Sequence, residues 1–102
     1  MNKVKTYISK PVEVEAVQFI VGGEVPVTNF LGLTDEYRRN RDMYWENDNA
    51  IFEMFQPEVC SLKIKTLDGN VDVKNRDYVI RDRMGFYSVL REDLFLKQYY
   101  EK

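Results

Sequence analysis

Apolar and polar positions alternate most clearly in the second half of the chain. Leu62, Ile64 and Thr66 fall on one side of an extended segment while Lys63 and Lys65 fall on the other, which predicts a half-buried strand. Asp68-Gly69 predicts a type I′ hairpin turn, because that turn needs positive φ and glycine supplies it without steric cost. Val71 and Val73 return as the partner strand. Asn75-Arg76-Asp77 then turns the chain into a strand at Tyr78-Val79-Ile80, Met84-Gly85 marks another turn, and Phe86 to Leu90 another strand. Arg91 to Phe95 has the length of a single helical turn. Leu96 to Tyr100 reads as a closing strand with Tyr99 or Tyr100 turned inward.

Earlier in the chain, Pro11 opens a run from Val12 to Ile20 whose apolar residues alternate with Glu13 and Glu15 at the start. The phase slips between Ala16 and Val17, which predicts a bulge or a strand buried on both faces at its far end. Gly22-Gly23 ends it. Val27, Phe30 and Leu31 recur at helical spacing and predict a short helix within Glu24 to Leu33, with Pro26 in its first turn and Gly32 as its stop. Thr34 to Asn49 is weakly patterned and reads as an exposed loop or a hairpin, and Ala50 to Phe55 is a second strand ended by Pro57. The expected fold is α+β: a small twisted, mainly antiparallel sheet, curling toward a partial barrel, with one short helix early in the chain.

Length and composition narrow the picture further. At 102 residues the chain supports one core and is expected to be a single domain, 1–102. Seven Tyr, six Phe and one Trp give that core large rings in place of disulfides. A net charge of −2 argues against general affinity for phosphate backbones, so nucleic acid is a disfavoured partner. The single cysteine, Cys60, and the absence of histidine exclude His-based catalytic and zinc arrangements and predict no cofactor. Cys60 itself reads as a small buried residue. No apolar run reaches signal-peptide or membrane-span length, which predicts a soluble chain.

Two groupings stand out as binding candidates. Arg38, Arg39 and Arg41 sit beside Tyr44 and Trp45, and forked guanidiniums with flat rings suit a phosphate-bearing ligand or a protein interface. The bland alternative has Tyr44 and Trp45 covering the core edge while the arginines pair with Asp35, Glu36 and Asp42. Arg81 and Arg83, with Tyr87 nearby, lie at an expected hairpin tip. There too, an exposed turn with self-compensating charge is the plainer reading.

The run Lys10-Pro11-Val12-Glu13-Val14-Glu15-Ala16-Val17-Gln18-Phe19 resembles the opening "KKPVVVEAVQW" strand of a widespread family of small phage and prophage proteins, to which no one biochemical activity is attached. Ile64 to Gly69, Asp77 to Arg81, Gly85-Phe86-Tyr87 and Asp93-Leu94-Phe95 with Tyr99 resemble that family's "TLEGD…GDYIIRGVKGEFYPCKPDIFEKTYE" ending. Asn29-Phe30-Leu31-Gly32 is similar to the end of its short helix. Arg76 stands where the family has glycine, and Ser88-Val89 where it has Pro-Cys.

The resemblance implies a phage or prophage gene product acting in the host cytoplasm. The leading expectation is a non-enzymatic inhibitor that binds a host protein, for instance of an antiviral defence system, through an acidic, aromatic surface that includes Asp35, Glu36, Asp42, Glu46 and Asp48. The alternative is an oligomeric sponge for a nucleotide-type ligand, and the third a nucleic-acid-binding accessory protein. Unpaired sheet edges favour a homodimer centred on Tyr99-Tyr100 or Tyr44-Trp45.

Overall fold

A computed structural model of the chain describes residues 4–5, 13–33, 44–56 and 59–100. The elements run β1 (Glu15–Gln18), α1 (Val25–Phe30), β2 (Tyr44–Glu46), β3 (Ala50–Gln56), β4 (Val59–Thr66), β5 (Gly69–Val73), β6 (Tyr78–Arg81), β7 (Tyr87–Leu90) and α2 (Glu92–Gln98). They form two antiparallel sheets, a three-stranded one in the order β1-β6-β7 and a four-stranded one in the order β2-β3-β4-β5. The α+β class holds. The sheets do not close into a barrel.

The two sheets are built differently. The four-stranded sheet is a sequential meander in which β4 places Leu62 and Ile64 inward and Lys63 outward, as its alternation predicts. The three-stranded sheet joins distant parts of the chain. Glu15 pairs with Arg81 and Gln18 with Tyr78, with no bulge between Ala16 and Val17. The phase slip instead reflects cover on both faces, since Val17 packs on the core while Gln18 donates to Glu92 and to the Arg76 carbonyl on the other side.

The core lies between the sheets and is closed at one side by α1. Phe19, Val27, Leu31, Phe52, Leu62 and Ile64 are all buried within it. Pro26 occupies the first turn of α1, where its missing N–H costs nothing. Gly32 takes φ +77 after the helix, and the amides of Gly32 and Leu33 donate back to Asn29 and Thr28 in a Schellman stop. The β2–β3 turn docks on the same helix end. Asn47 and Asn49 both donate side-chain amide protons to the Leu31 carbonyl, at 2.8 and 3.1 Å.

Three expectations are corrected. The chain has a second helix, α2, where a closing strand at Leu96 to Tyr100 is expected. Glu92 and Asp93 in its first turn and Lys97 in its last suit the helix dipole, and Phe95 stacks between Tyr78 and Tyr99 with ring centroids 3.8 and 5.0 Å away. The β4–β5 turn is not type I′. Gly69 carries the positive φ (+108), but Leu67 and Asp68 at the turn's centre do not, and glycine follows the turn as the ladder partner of Thr66. The third is the partial barrel, replaced by two separate sheets.

Candidate functional site

The hairpins β4–β5 and β6–β7 bring their tips to one groove. Each tip is tied by its own side chains. Thr66 Oγ1 accepts from the Asp68 amide and donates to the Gly69 carbonyl at 2.7 Å. Asp82 Oδ1 accepts from the amides of Met84 and Phe86 at 2.9 and 3.0 Å. With their backbones held this way, the tips turn apolar side chains outward: Leu67 is 77% exposed and Met84 80%.

Between the hairpins runs an open groove of about 400 Å³. Leu67, Val71, Phe86 and Val89 give it an apolar floor and rim. Its charged lining residues are Asp68 and Asp82, both acidic. Its volume falls in the range of ordinary ligand and peptide sites. Four consecutive residues, Phe86 to Val89, line it. A strand presenting one face would offer only alternate residues, so the groove meets β7 along its edge.

A second, smaller cleft of about 200 Å³ lies beside β1 and holds Arg81 and Arg83 together with Glu13 and Glu15. Arg81 is engaged within the fold. Its guanidinium donates to Glu15 at 2.9 Å and to the Tyr87 hydroxyl at 3.4 Å, and it lies over the Phe30 ring. These bonds, Glu15 first, raise its pKa. Tyr87 packs edge-on against Phe30 at 6.1 Å. Arg81 and Tyr87 therefore tie α1 to the three-stranded sheet, and only Arg83 of this group stands on an exposed turn.

The arginine cluster is outside the described residues, as are Asp35, Glu36 and Asp42. Its aromatic neighbours divide. Trp45 is a core residue stacked on Phe52 at 5.3 Å, so it covers the core rather than a ligand. Tyr44 is at the surface and donates to Glu46 at 2.7 Å, a bond that raises the Tyr44 pKa. Of the proposed dimer rings, Tyr99 stacks on Phe95, and Tyr100 is 95% exposed. The Cys60 thiol is half-buried beside Glu24, and burial, with the Glu24 charge, raises its pKa. That keeps it protonated and weakly nucleophilic.

Among the described residues no three His, Cys, Asp or Glu side chains converge as a metal site, and no helix is long and apolar enough to cross a membrane. The groove escapes sequence reading because it joins two hairpin tips across tertiary space. Its local signal is Leu67 and Met84, apolar residues in turns that are ordinarily polar. Comparison with protein-family models, with curated proteins and with solved structures gave no match.

Proposed function

We propose that this chain is a phage-encoded, non-enzymatic protein that binds a host protein and inhibits it, with an antiviral defence component as the target. The observation that carries the binding role is the apolar groove between two tied hairpin tips, with Leu67 and Phe86 exposed along it. Exposed apolar surface on a rigid frame suits partner recognition, because little ordering entropy is lost on contact. The phage origin rests on the sequence resemblance, and the defence target follows from it by association. The nucleotide-sponge reading draws less support, since Arg81 already has Glu15, Tyr87 and Phe30 around it.

The test uses immobilised protein and host lysate. The chain should retain one host protein at a fixed ratio and lower that protein's activity when added to it. The double variant Leu67→Asp/Phe86→Asp should lose both effects while keeping its melting temperature. Failure of the wild-type chain to retain any host protein, with a nucleotide raising its melting temperature instead, would transfer the assignment to the sponge.

A further inference from the structure

The two sheets do not match in width. The four-stranded sheet ends in β5, whereas the three-stranded sheet ends in β7, and β7 packs against β4. The position beside β7 therefore lies under β5. Val71 pairs with Ile64 and points to the same side of its sheet, yet Ile64 is fully buried and Val71 is 37% exposed. The difference marks where the facing sheet stops one strand short.

Among the described residues, the edge facing that position carries backbone groups that no neighbouring strand uses. The Asp82 amide donates to the Phe86 carbonyl and the Phe19 amide to the Asp77 carbonyl. In an antiparallel ladder, bonded and non-bonded pairs alternate. From the first bond, Ser88 and Leu90 face β6, while Tyr87 and Val89 turn their N–H and C=O groups away from it. From the second, Asp77, Val79 and Arg81 bond toward β1, which agrees with Arg81↔Tyr87 and Val79↔Val89 being the non-bonded pairs of the β6–β7 ladder. Tyr87 and Val89 both line the groove.

Building on the protein-binding reading, we infer that the groove takes an extended segment of the partner as an added strand beside β7. The segment has apolar side chains at alternate positions and a basic residue at the hairpin-tip end. Backbone pairing with Tyr87 and Val89 supplies affinity, and side chains under Val71 and Leu67 supply the apolar contact. Charge selects the occupant. Asp68 and Asp82 are the charged residues among those lining the slot, so a lysine or arginine complements it.

The test is titration of the labelled full chain with a capped peptide of alternating valine and threonine bearing lysine at both ends, read by amide shifts and hydrogen exchange. The lysine peptide should bind saturably and slow exchange at the Tyr87 and Val89 amides, leaving the Ser88 amide, already bonded to β6, unchanged. A peptide with glutamate in place of lysine should bind about tenfold more weakly or worse. Asp68→Lys, at an exposed turn, should abolish that preference without changing the fold, because the introduced ammonium then offsets Asp82. No saturation by about 1 mM, or equal affinity for the two peptides, would overturn the inference. So would protection of Tyr87 and Val89 in the free protein that disappears on dilution, which would give the slot to a second copy. Retention of a host protein alongside a failed titration would sink the added strand alone. A successful titration with no host protein retained would sink only the host assignment.

Discussion

The Arg81 guanidinium carbon lies 4.6 Å from the centre of the Phe30 ring, so a strand of one sheet holds the end of α1 by charge against a π face. The same group donates to Glu15 and Tyr87, which spreads one planar fork across three elements. Arg81→Ala should lower stability by about 1–2 kcal/mol, read from urea midpoints. Arg81→Lys should recover less than half of that loss, because an ammonium cannot reproduce the fork. Full rescue by lysine would show that only the charge counts.

Arg76 holds φ +78 without being glycine. Its amide donates to the Phe19 carbonyl at 2.6 Å, and its guanidinium reaches both oxygens of Glu92 at 3.2 Å. The turn thus keeps a left-handed backbone that costs about 1 kcal/mol outside glycine. Arg76→Ala loses the exposed ion pair and keeps the strain. Arg76→Gly loses the pair and relieves it. The glycine variant should therefore be more stable than the alanine variant by about 1 kcal/mol, and equal denaturation midpoints would remove the strain from the account.

Asn47 shapes the β2–β3 turn from within. Its Oδ1 accepts from the amides of Asn49 and Ala50, and its Nδ2 donates to Leu31. Asn47→Ala should cost about 2 kcal/mol, because it leaves partly buried amides unpaired. Asn49→Ala should cost about half as much, since Asn47 still serves the Leu31 carbonyl. Chemical denaturation of both variants and of the pair checks this, and the double variant should lose more than the two single losses added together.

Glu46 is held below its ordinary pKa of 4.5, first by the Lys65 ammonium at 2.6 Å and then by the Tyr44 hydroxyl. Glu92 is held below it by Arg76 and then by Gln18. Both carboxylates bind protons less readily when folded than when unfolded. Their contribution is present above about pH 4.5 and is lost as pH falls through the lowered native values. The melting temperature should drop as pH is taken from about 6 to about 3, and Glu46→Gln/Glu92→Gln should flatten that drop.

Much of this architecture is legible from local pattern because local physics decides it. The alternation from Leu62 to Thr66, the glycine stop at Gly32 and the strand at Ala50 all answer to burial on one face or to backbone freedom, and each appears where expected. The misses are tertiary. Leu96 to Tyr100 reads as a strand until Tyr78 is known to lie beneath Phe95, where a stacked ring rewards the helix. The tight turn expected at Asp68-Gly69 sits one residue earlier, at Leu67-Asp68, because Thr66 pairs with Gly69 across it. Trp45, a binding candidate beside the arginine cluster, covers the core as the plainer reading has it, because β2 pairs with β3 and stacks it on Phe52. The groove needs both hairpins placed before it exists.

The pairing of β1 with β6 sets an order on assembly. The meander from β2 to β5 closes by short local turns, whereas β1 must wait for a strand more than half the chain away. During synthesis Val17 and Phe19 emerge early and have no ladder to join until the β6–β7 hairpin has been made. A chain halted after β5 would therefore hold one finished sheet and an orphaned, sticky leading strand, a natural substrate for a chaperone.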